Sequence, residues 1–294
     1  MKLRVMDLQG ISHRYSRGPR ALTEINLSLN SGEVVGVIGD NGAGKSTLLN
    51  ILAGSIMPTS GNVERSHERI AWTAQHQTID WFVTVRTNVW IGARLAGLKG
   101  ADAWSAADRA LDKLGLTSKS RETPEGLSGG QQQRLMIARA IAMDADVLIL
   151  DEPTVGLDVQ NTKSIREEIL RAKSRGAAVI VSSHDFEAIE PVVEKILFLS
   201  SGEVVYFGAV SDFVKAYAKR ELIKFSLSVP LPSDVDLRAL ALQVDESDQR
   251  IVFADVAPGV ALAPIVRLIE AHASIRDITR RPGSLRSAVE GLVS

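Results

Sequence analysis

Glu33-Val-Val-Gly-Val-Ile38 runs directly into Gly39-Asp-Asn-Gly-Ala-Gly-Lys-Ser46, and Thr47-Leu-Leu-Asn-Ile-Leu-Ala53 comes next. The first stretch is β-branched and mostly apolar, and the third has helical spacing. A strand, a glycine-rich turn and a helix are therefore predicted in that order. The turn fits the pattern G-x-x-x-x-G-K-[ST] at every fixed position. In such a turn the backbone N–H groups and the positive end of the helix hold phosphate oxygens. Lys45 reaches the terminal phosphates, and Ser46 offers its hydroxyl to a Mg²⁺.

Upstream, two further strands are predicted, Leu3 to Leu8 and Glu24 to Leu29, with turns at Ser16–Pro19 and Asn30–Gly32. Tyr15 falls between them, where its ring either stacks on a purine or closes the core at a strand end. Downstream, Pro58–Gly61 reads as a turn and Arg69–Thr73 as a strand that ends near Gln75. An amide there can touch a metal-bound water, although an isolated glutamine after a strand is most often plain surface. Val85 to Lys113 reads as helical, with Trp90 and Trp104 as packing anchors or partner contacts.

Leu127-Ser-Gly-Gly-Gln-Gln-Gln-Arg134 leads into a helix predicted over Leu135–Ala142. A Ser-Gly-Gly turn at a helix N-terminus is a second anion site by the same physics as the first. Two such sites separated by a helical segment suggest two copies of the chain facing each other. Asp146–Asp151 is a short buried-type strand that ends in an acid, followed by Glu152 and Pro153. Asp151 can hold Mg²⁺ through water and Glu152 can polarise an attacking water. Taken alone, such a pair is more often a solvated strand end. Gly156–Asp158 is a turn, Ile165–Lys173 a helix and Ala177–Ser182 a buried parallel-type strand. His184 stands just past that strand's carboxyl end, where open α/β sheets place ligand contacts.

Ile196–Leu199 and Val204–Phe207 read as a hairpin, with helix-like sequence to about Arg220. Beyond it the reading is a strand from Ile223, a helix over Val235–Leu242, a strand over Arg250–Asp255, a helix over Pro264–His272, a strand over Ile275–Arg280 and a last helix from Ser284. These form an α/β appendage of about 75 residues, near the small end of what folds alone.

Composition narrows the class. The 294 residues are 45% hydrophobic and 23% charged, with 34 Lys plus Arg against 35 Asp plus Glu and a formal charge of −1. No block of like charge is present, which argues against nucleic acid as a direct partner. The absence of cysteine excludes disulfides and thiolate metal sites and fits a reducing cytosol. The five histidines show no metal-ligand spacing. Asp7 interrupts any signal-peptide core, and no run approaches the ~18 apolar residues that span a bilayer. The chain is expected to be soluble by itself, with any membrane spans supplied by a partner.

Taken together, these stretches resemble the ATP-binding subunit of an ABC transporter over residues 1 to about 217. The resemblance implies a P-loop NTPase core with an antiparallel β subdomain, a helical signature subdomain at about 82–140 and a small C-terminal α/β domain at 218–294. It implies ATP binding by Tyr15, Gly39, Asp40, Asn41, Gly42, Ala43, Gly44, Lys45, Ser46 and Thr47. Ser128, Gly129, Gly130 and Gln131 become the signature, which grips the ATP of a partner subunit, and Asp158 the D-loop aspartate. Ser46, Gln75 and Asp151 would place Mg²⁺, with Gln77 a rival for the Gln75 role. Glu152 would be the catalytic base and His184 the switch histidine. Implied partners are ATP, a second ATP-binding subunit, identical or related, and an integral membrane permease docking around Gln75–Leu98, so the chain would sit peripherally at the cytoplasmic face of the membrane. Val155 departs from the serine often found in the D-loop. The C-terminal strand, Pro282-Gly-Ser-Leu285 and final helix are similar to the tail of drug and polymer exporter ATPases, so export is the expected direction and import the alternative. A soluble clamp acting on the ribosome or DNA is the reading from another class.

Overall fold

The computed structural model describes residues 3–16, 18–66, 69–73, 79–232, 235, 242–245, 247–257, 259–281 and 283–293. Two units succeed one another along the chain, Met1–Ala209 and Val210–Ser294.

The first unit opens with strands β1 (Arg4–Arg14) and β2 (Arg20–Asn30), followed by β3 (Val34–Gly39), α1 (Lys45–Ala53), β4 (Ser60–Arg65) and β5 (Ile70–Thr73). β2-β1-β4 form an antiparallel sheet. β4 corrects the turn read over Pro58–Gly61, since Ser60 and Gly61 are already strand. Its sequence SGNVER has no alternation and one apolar residue, Val63, which packs on the core, because it is an otherwise exposed edge strand. Its ladder with β1 and the 2.6 Å bond from Arg65 Nη2 to the Ile51 carbonyl at the end of α1 hold it in place.

A helical arm comes next: α2 (Val85–Leu95), α3 (Gly100–Lys113) and, after two short 3-10 turns, α4 (Gly129–Ala142). Thr84 caps α2 by accepting the Thr87 N–H at 3.1 Å. The buried faces are rich in small residues, Ala103, Ala107 and Ala110 on α3 and Gly92 and Ala93 on α2, so the helices approach closely. Trp90 and Trp104 stack with centroids 5.0 Å apart, and the Arg86 guanidinium covers Trp104 at 4.5 Å while pairing with Asp108. Both tryptophans thus serve as packing anchors between α2 and α3.

A Cβ on Gly92 would fall well inside contact with the Arg139 carbonyl oxygen of α4 and 2.8 Å from Arg139 Cγ. Gly92→Ala is therefore expected to force α2 and α4 apart. The overpacking cost of about 1–3 kcal/mol exceeds the gain in helix propensity of about 1 kcal/mol. A lowered urea midpoint is the readout; an unchanged midpoint would show that the helices can part freely.

The remaining elements are β6 (Val147–Asp151), α5 (Val159–Ser174), β7 (Ala178–Ser182), the single turn α6 (Phe186–Ile189), β8 (Lys195–Ser200) and β9 (Glu203–Ala209). The central sheet has the order β5-β6-β7-β3-β8-β9, parallel throughout except for the last strand. Every residue of β6 and β7 is buried, as expected for parallel strands covered on both faces. One core joins this sheet to the antiparallel one: Leu8, Ile11, Leu27 and Leu29 pack with Leu48, Leu49, Ile51 and Leu52 of α1 and with Val35, Ile149 and Ile180. Strand register decides which residues meet at the sheet's edge. Asp151 lies level with Ser182, and Ser182 with Val37, so β3, β6 and β7 release their carboxyl ends together.

The second unit holds α7 (Val210–Tyr217), β10 (Glu221–Leu227), β11 (Leu242–Val244), β12 (Ile251–Val256), α8 (Ala263–Glu270), β13 (Ile275–Arg281) and α9 (Leu285–Val293). Its sheet has the order β11-β12-β10-β13 and is antiparallel throughout. Ile223, Phe225 and Leu227 alternate inward against Val252, Ala254, Ile265 and Ile269. The helix expected over Val235–Leu242 falls mostly outside the described residues. Its last residue, Leu242, belongs to β11, where the ladder with β12 overrides the helical reading. α7 belongs to this unit by its contacts, packing on α9, so this division lies at 209/210 rather than near 217.

Candidate active site

The loop from Gly39 to Ser46 joins β3 to α1 as the spacing requires. Gly44 has φ 101° and stands at the N-cap of α1. A Cβ there would meet the Ala21 carbonyl oxygen at 2.5 Å and Leu22 Cδ2 at 2.8 Å, so conformation and space both demand glycine. Lys45 folds back over the loop, its Nζ donating to the carbonyls of Gly39 at 2.6 Å and Asp40 at 3.0 Å. The ammonium is thereby held above the loop amides. Tyr15 is half exposed beside the loop, its hydroxyl 3.3 Å from Thr47 Oγ1 and its ring edge-on to His13. It closes no core.

Asp151 ends β6 and is only 6% exposed. Its carboxylate accepts a hydrogen bond from Ser182 Oγ. Burial pushes this carboxyl above its ordinary value, and the charge of Glu152 adds to the rise. The Ser182 hydrogen bond, the Lys45 charge and Ser46 pull the other way without cancelling it. A buried carboxylate beside a serine hydroxyl is a hard-oxygen pair that suits Mg²⁺, and a divalent cation would offset the burial penalty.

Glu152 has φ 50°, a left-handed conformation that costs a side-chain-bearing residue roughly 1–2 kcal/mol. Its N–H donates to Ser182 Oγ at 3.0 Å, and its carbonyl accepts from Gln133 Nε2 at 3.2 Å. Its carboxylate lies 2.9 Å from His184 Nδ1 and accepts the His184 N–H at 3.3 Å. The kink lets the carboxylates of adjacent residues at one strand end serve different partners, Asp151 turning to Ser182 Oγ and Glu152 to His184. His184 remains 71% exposed in its side chain.

A cleft of about 280 Å³ lies against Ala21, Asn41, Gly42, Lys45, Asp151 and Glu152. None of Ser128, Gly129, Gly130 or Gln131 lines it. They form the exposed first turn of α4, where the Ser128 N–H donates to Gln131 Oε1 at 2.9 Å and Ser128 Oγ accepts from the Gln131 N–H. This capping box starts α4 at Gly129, six residues before the expected Leu135. Gly130 packs toward Gly156 and Leu157, and Asp158 caps α5 by accepting from Asn161 at 2.8 Å. The sequence-predicted residues therefore form two groups on one chain, the loop with Asp151, Glu152 and His184, and the signature turn with Asp158. Gln75 and its rival Gln77 lie outside the described residues.

Three supporting residues went unrecognised in the sequence. Ser182, Gln133 and Thr73, whose Oγ1 accepts the Asp151 N–H at 3.3 Å, hold the strand end in place. A serine closing the apolar run Ala178-Val-Ile-Val-Ser182 was the one available signal.

The family described as ABC transporter matches residues 22–155. The energy-coupling factor transporter ATP-binding protein EcfA of Methanothermobacter thermautotrophicus is 33% identical over 259 residues, covering 82% of each chain. The chain belongs to the ABC transporter ATP-binding family. This ABC ATPase subunit is also 32% identical to the methionine import ATP-binding protein MetN of Bacillus subtilis, over 78% of this chain and 73% of that one. A solved dimeric ATP-binding cassette in a post-hydrolysis state with ADP and Pi superposes with a TM-score of 0.65 at 28% identity, covering 69% of this chain and 98% of the other. The protein is thus an ABC-type ATPase, the ATP-hydrolysing subunit of a transporter. The expected likeness to the drug and polymer exporter group is not what these relatives carry, since MetN is named for import. No helix among the described residues is long and apolar enough to cross a membrane.

Proposed function

We propose that two ATP-binding subunits of this kind sandwich two MgATP, each between the phosphate loop of one chain and the signature turn of the other. The observation that carries this is the division of anion-binding groups within one chain: Asn41, Gly42, Gly44, Lys45 and Ser46 of the phosphate loop line the cleft, and Ser128–Gln131 does not. Exposed Val155 and Val159 beside Asp158 support the same face as the contact between copies. Lys45 and the loop amides stabilise charge on the transferring phosphoryl group. Ser46 and Asp151 would hold the Mg²⁺, which would supply charge neutralisation to the phosphates. Glu152 polarises the attacking water, and His184, tied to Glu152, reaches the γ-phosphate. Tyr15 stacks on the base.

Closure of the sandwich would drive a membrane permease. Trp81 and Phe82, the latter 95% exposed, precede α2 within the expected docking segment and supply apolar anchors for it.

Import is the direction supported by the relatives. A MetN of Staphylococcus haemolyticus aligns over 98% of this chain at 29% identity, so the likeness extends through the C-terminal unit. The competing export reading rests on that unit's ending, where β13 leads through Pro282-Gly-Ser into α9. Reconstitution with the permease that co-purifies from native membranes separates the two. Substrate accumulating on the side where ATP is hydrolysed establishes import, and depletion from that side establishes export. Recovery with ribosomes or DNA instead of a multi-span protein would overturn coupling to transport.

A further inference from the structure

Away from the phosphate loop, a second cavity of about 320 Å³ lies where the helical arm meets the opposite end of the central sheet. It shares no residue with the nucleotide cleft. Its apolar wall comes from Leu98, Ala106, Ile141 and Met143, and four cations stand around it. Three are neutralised locally: Arg69 pairs with Asp146 at 3.0 Å, Arg175 with Asp144 at 2.8 Å and Lys113 with Glu168 at 3.0 Å. The fourth, Arg109 on α3, makes no ion pair or hydrogen bond among the described residues. A hollow walled about equally by apolar and polar surface, with one uncompensated guanidinium at its edge, has the size of a small-ligand site, at the lower end of the roughly 300–1,000 Å³ such sites occupy.

We propose that this cavity binds a small amphipathic monoanion, its carboxylate on Arg109 and its apolar body against Leu98, Ala106 and Met143. One uncompensated cation favours a single negative charge, and a planar carboxylate matches the guanidinium fork. At about 30 Å³ for each water-sized group, the hollow takes a body of about ten heavy atoms. The occupant is an effector and not the hydrolysed substrate, because α4 separates it from the signature turn by 14 residues, about 21 Å of helix. It would touch the C-terminal end of the helix whose first turn carries Ser128–Gly130.

Octanoate is a suitable probe, titrated calorimetrically into the full-length protein kept saturated with MgADP so that the phosphate loop is occupied. Octanamide serves as the uncharged control. The wild type is expected to bind octanoate roughly ten-fold more tightly than Arg109→Ala does, with octanamide binding both alike. Arg109 is exposed, so its removal leaves the fold intact. Ala106→Leu, which keeps the guanidinium and fills the hollow, is expected to weaken binding as well. Equal octanoate affinity in wild type and Arg109→Ala, release of MgADP by octanoate, or no heat of binding at millimolar octanoate would each overturn the proposal.

Discussion

Glu152→Gln is expected to lower steady-state ATP turnover by roughly 10²–10⁴-fold, the range a positioned general base contributes. The substitution is nearly isosteric, so its effect can be assigned to chemistry. The strained backbone at φ 50° is held by bonds to the main chain of residue 152, from Gln133 Nε2 to its carbonyl and from its N–H to Ser182 Oγ. Both survive the change. The amide oxygen can still accept from the His184 N–H, but it cannot take a proton from water. In the proposed site MgATP binding would rest on Lys45, Ser46, Asp151 and the loop amides, and it is expected to persist. The ATP-bound pair should then accumulate as a dimer visible by light scattering, while phosphate release falls. Turnover within a few-fold of wild type, with a normal unfolding midpoint, would remove Glu152 from the role of base.

How much of this arrangement was legible depends on whether each residue's role is local. The phosphate loop is a local device, and its glycines, Lys45 and Ser46 stand in the order the physics requires, so strand, turn and helix were readable together. The Asp151–Glu152 pair was not readable from its own neighbourhood. Its meaning comes from the level pairing of Asp151 with Ser182, 31 residues away, and of Ser182 with Val37 on β3. Resemblance to a family supplied what spacing could not. The polar edge strand β4 and the early start of α4 failed for opposite reasons. Nothing in Ser60–Arg65 distinguishes a paired edge from a loop, whereas Ser128 and Gln131 stand at capping-box spacing, a signal for a helix start at Gly129 that the reading from Leu135 passed over. The C-terminal unit was legible wherever alternation was strong, as in Ile223–Leu227. It was misread at Leu242, where sheet pairing decides the conformation. The lean toward export rested mainly on that unit's last twenty residues, from Ile275 on, and the relatives named for import fit the alternative better.

Asp151→Asn is expected to abolish Mg²⁺-dependent turnover while leaving the metal-free protein as stable as wild type or more so. The ionised carboxylate is kept in a place that disfavours it: burial raises its proton affinity in the folded state, and Glu152 raises it further. Over the interval from the ordinary carboxylate range up to that raised value, the folded protein binds a proton that the unfolded chain has already lost. Stability therefore falls as pH rises through this interval, and the loss persists at neutral pH. Asparagine removes it. The introduced amide oxygen can still accept from Ser182 Oγ, and the backbone N–H still reaches Thr73, so the strand end keeps its geometry. In a pH series of thermal unfolding in EDTA, the variant should match or exceed wild type at neutral pH, and the two should converge as pH falls into the ordinary carboxylate range. With Mg²⁺ and ADP present the order should reverse, because the cation stabilises a carboxylate far more than a neutral amide oxygen, and the ligand-induced rise in Tm should be the larger in wild type. A variant several degrees less stable than wild type in EDTA at neutral pH would mean that the ionised Asp151 gains more from Ser182, Lys45 and Ser46 than burial takes away. The strand end would then be a structural ion site and not a carboxylate kept at a cost for the metal.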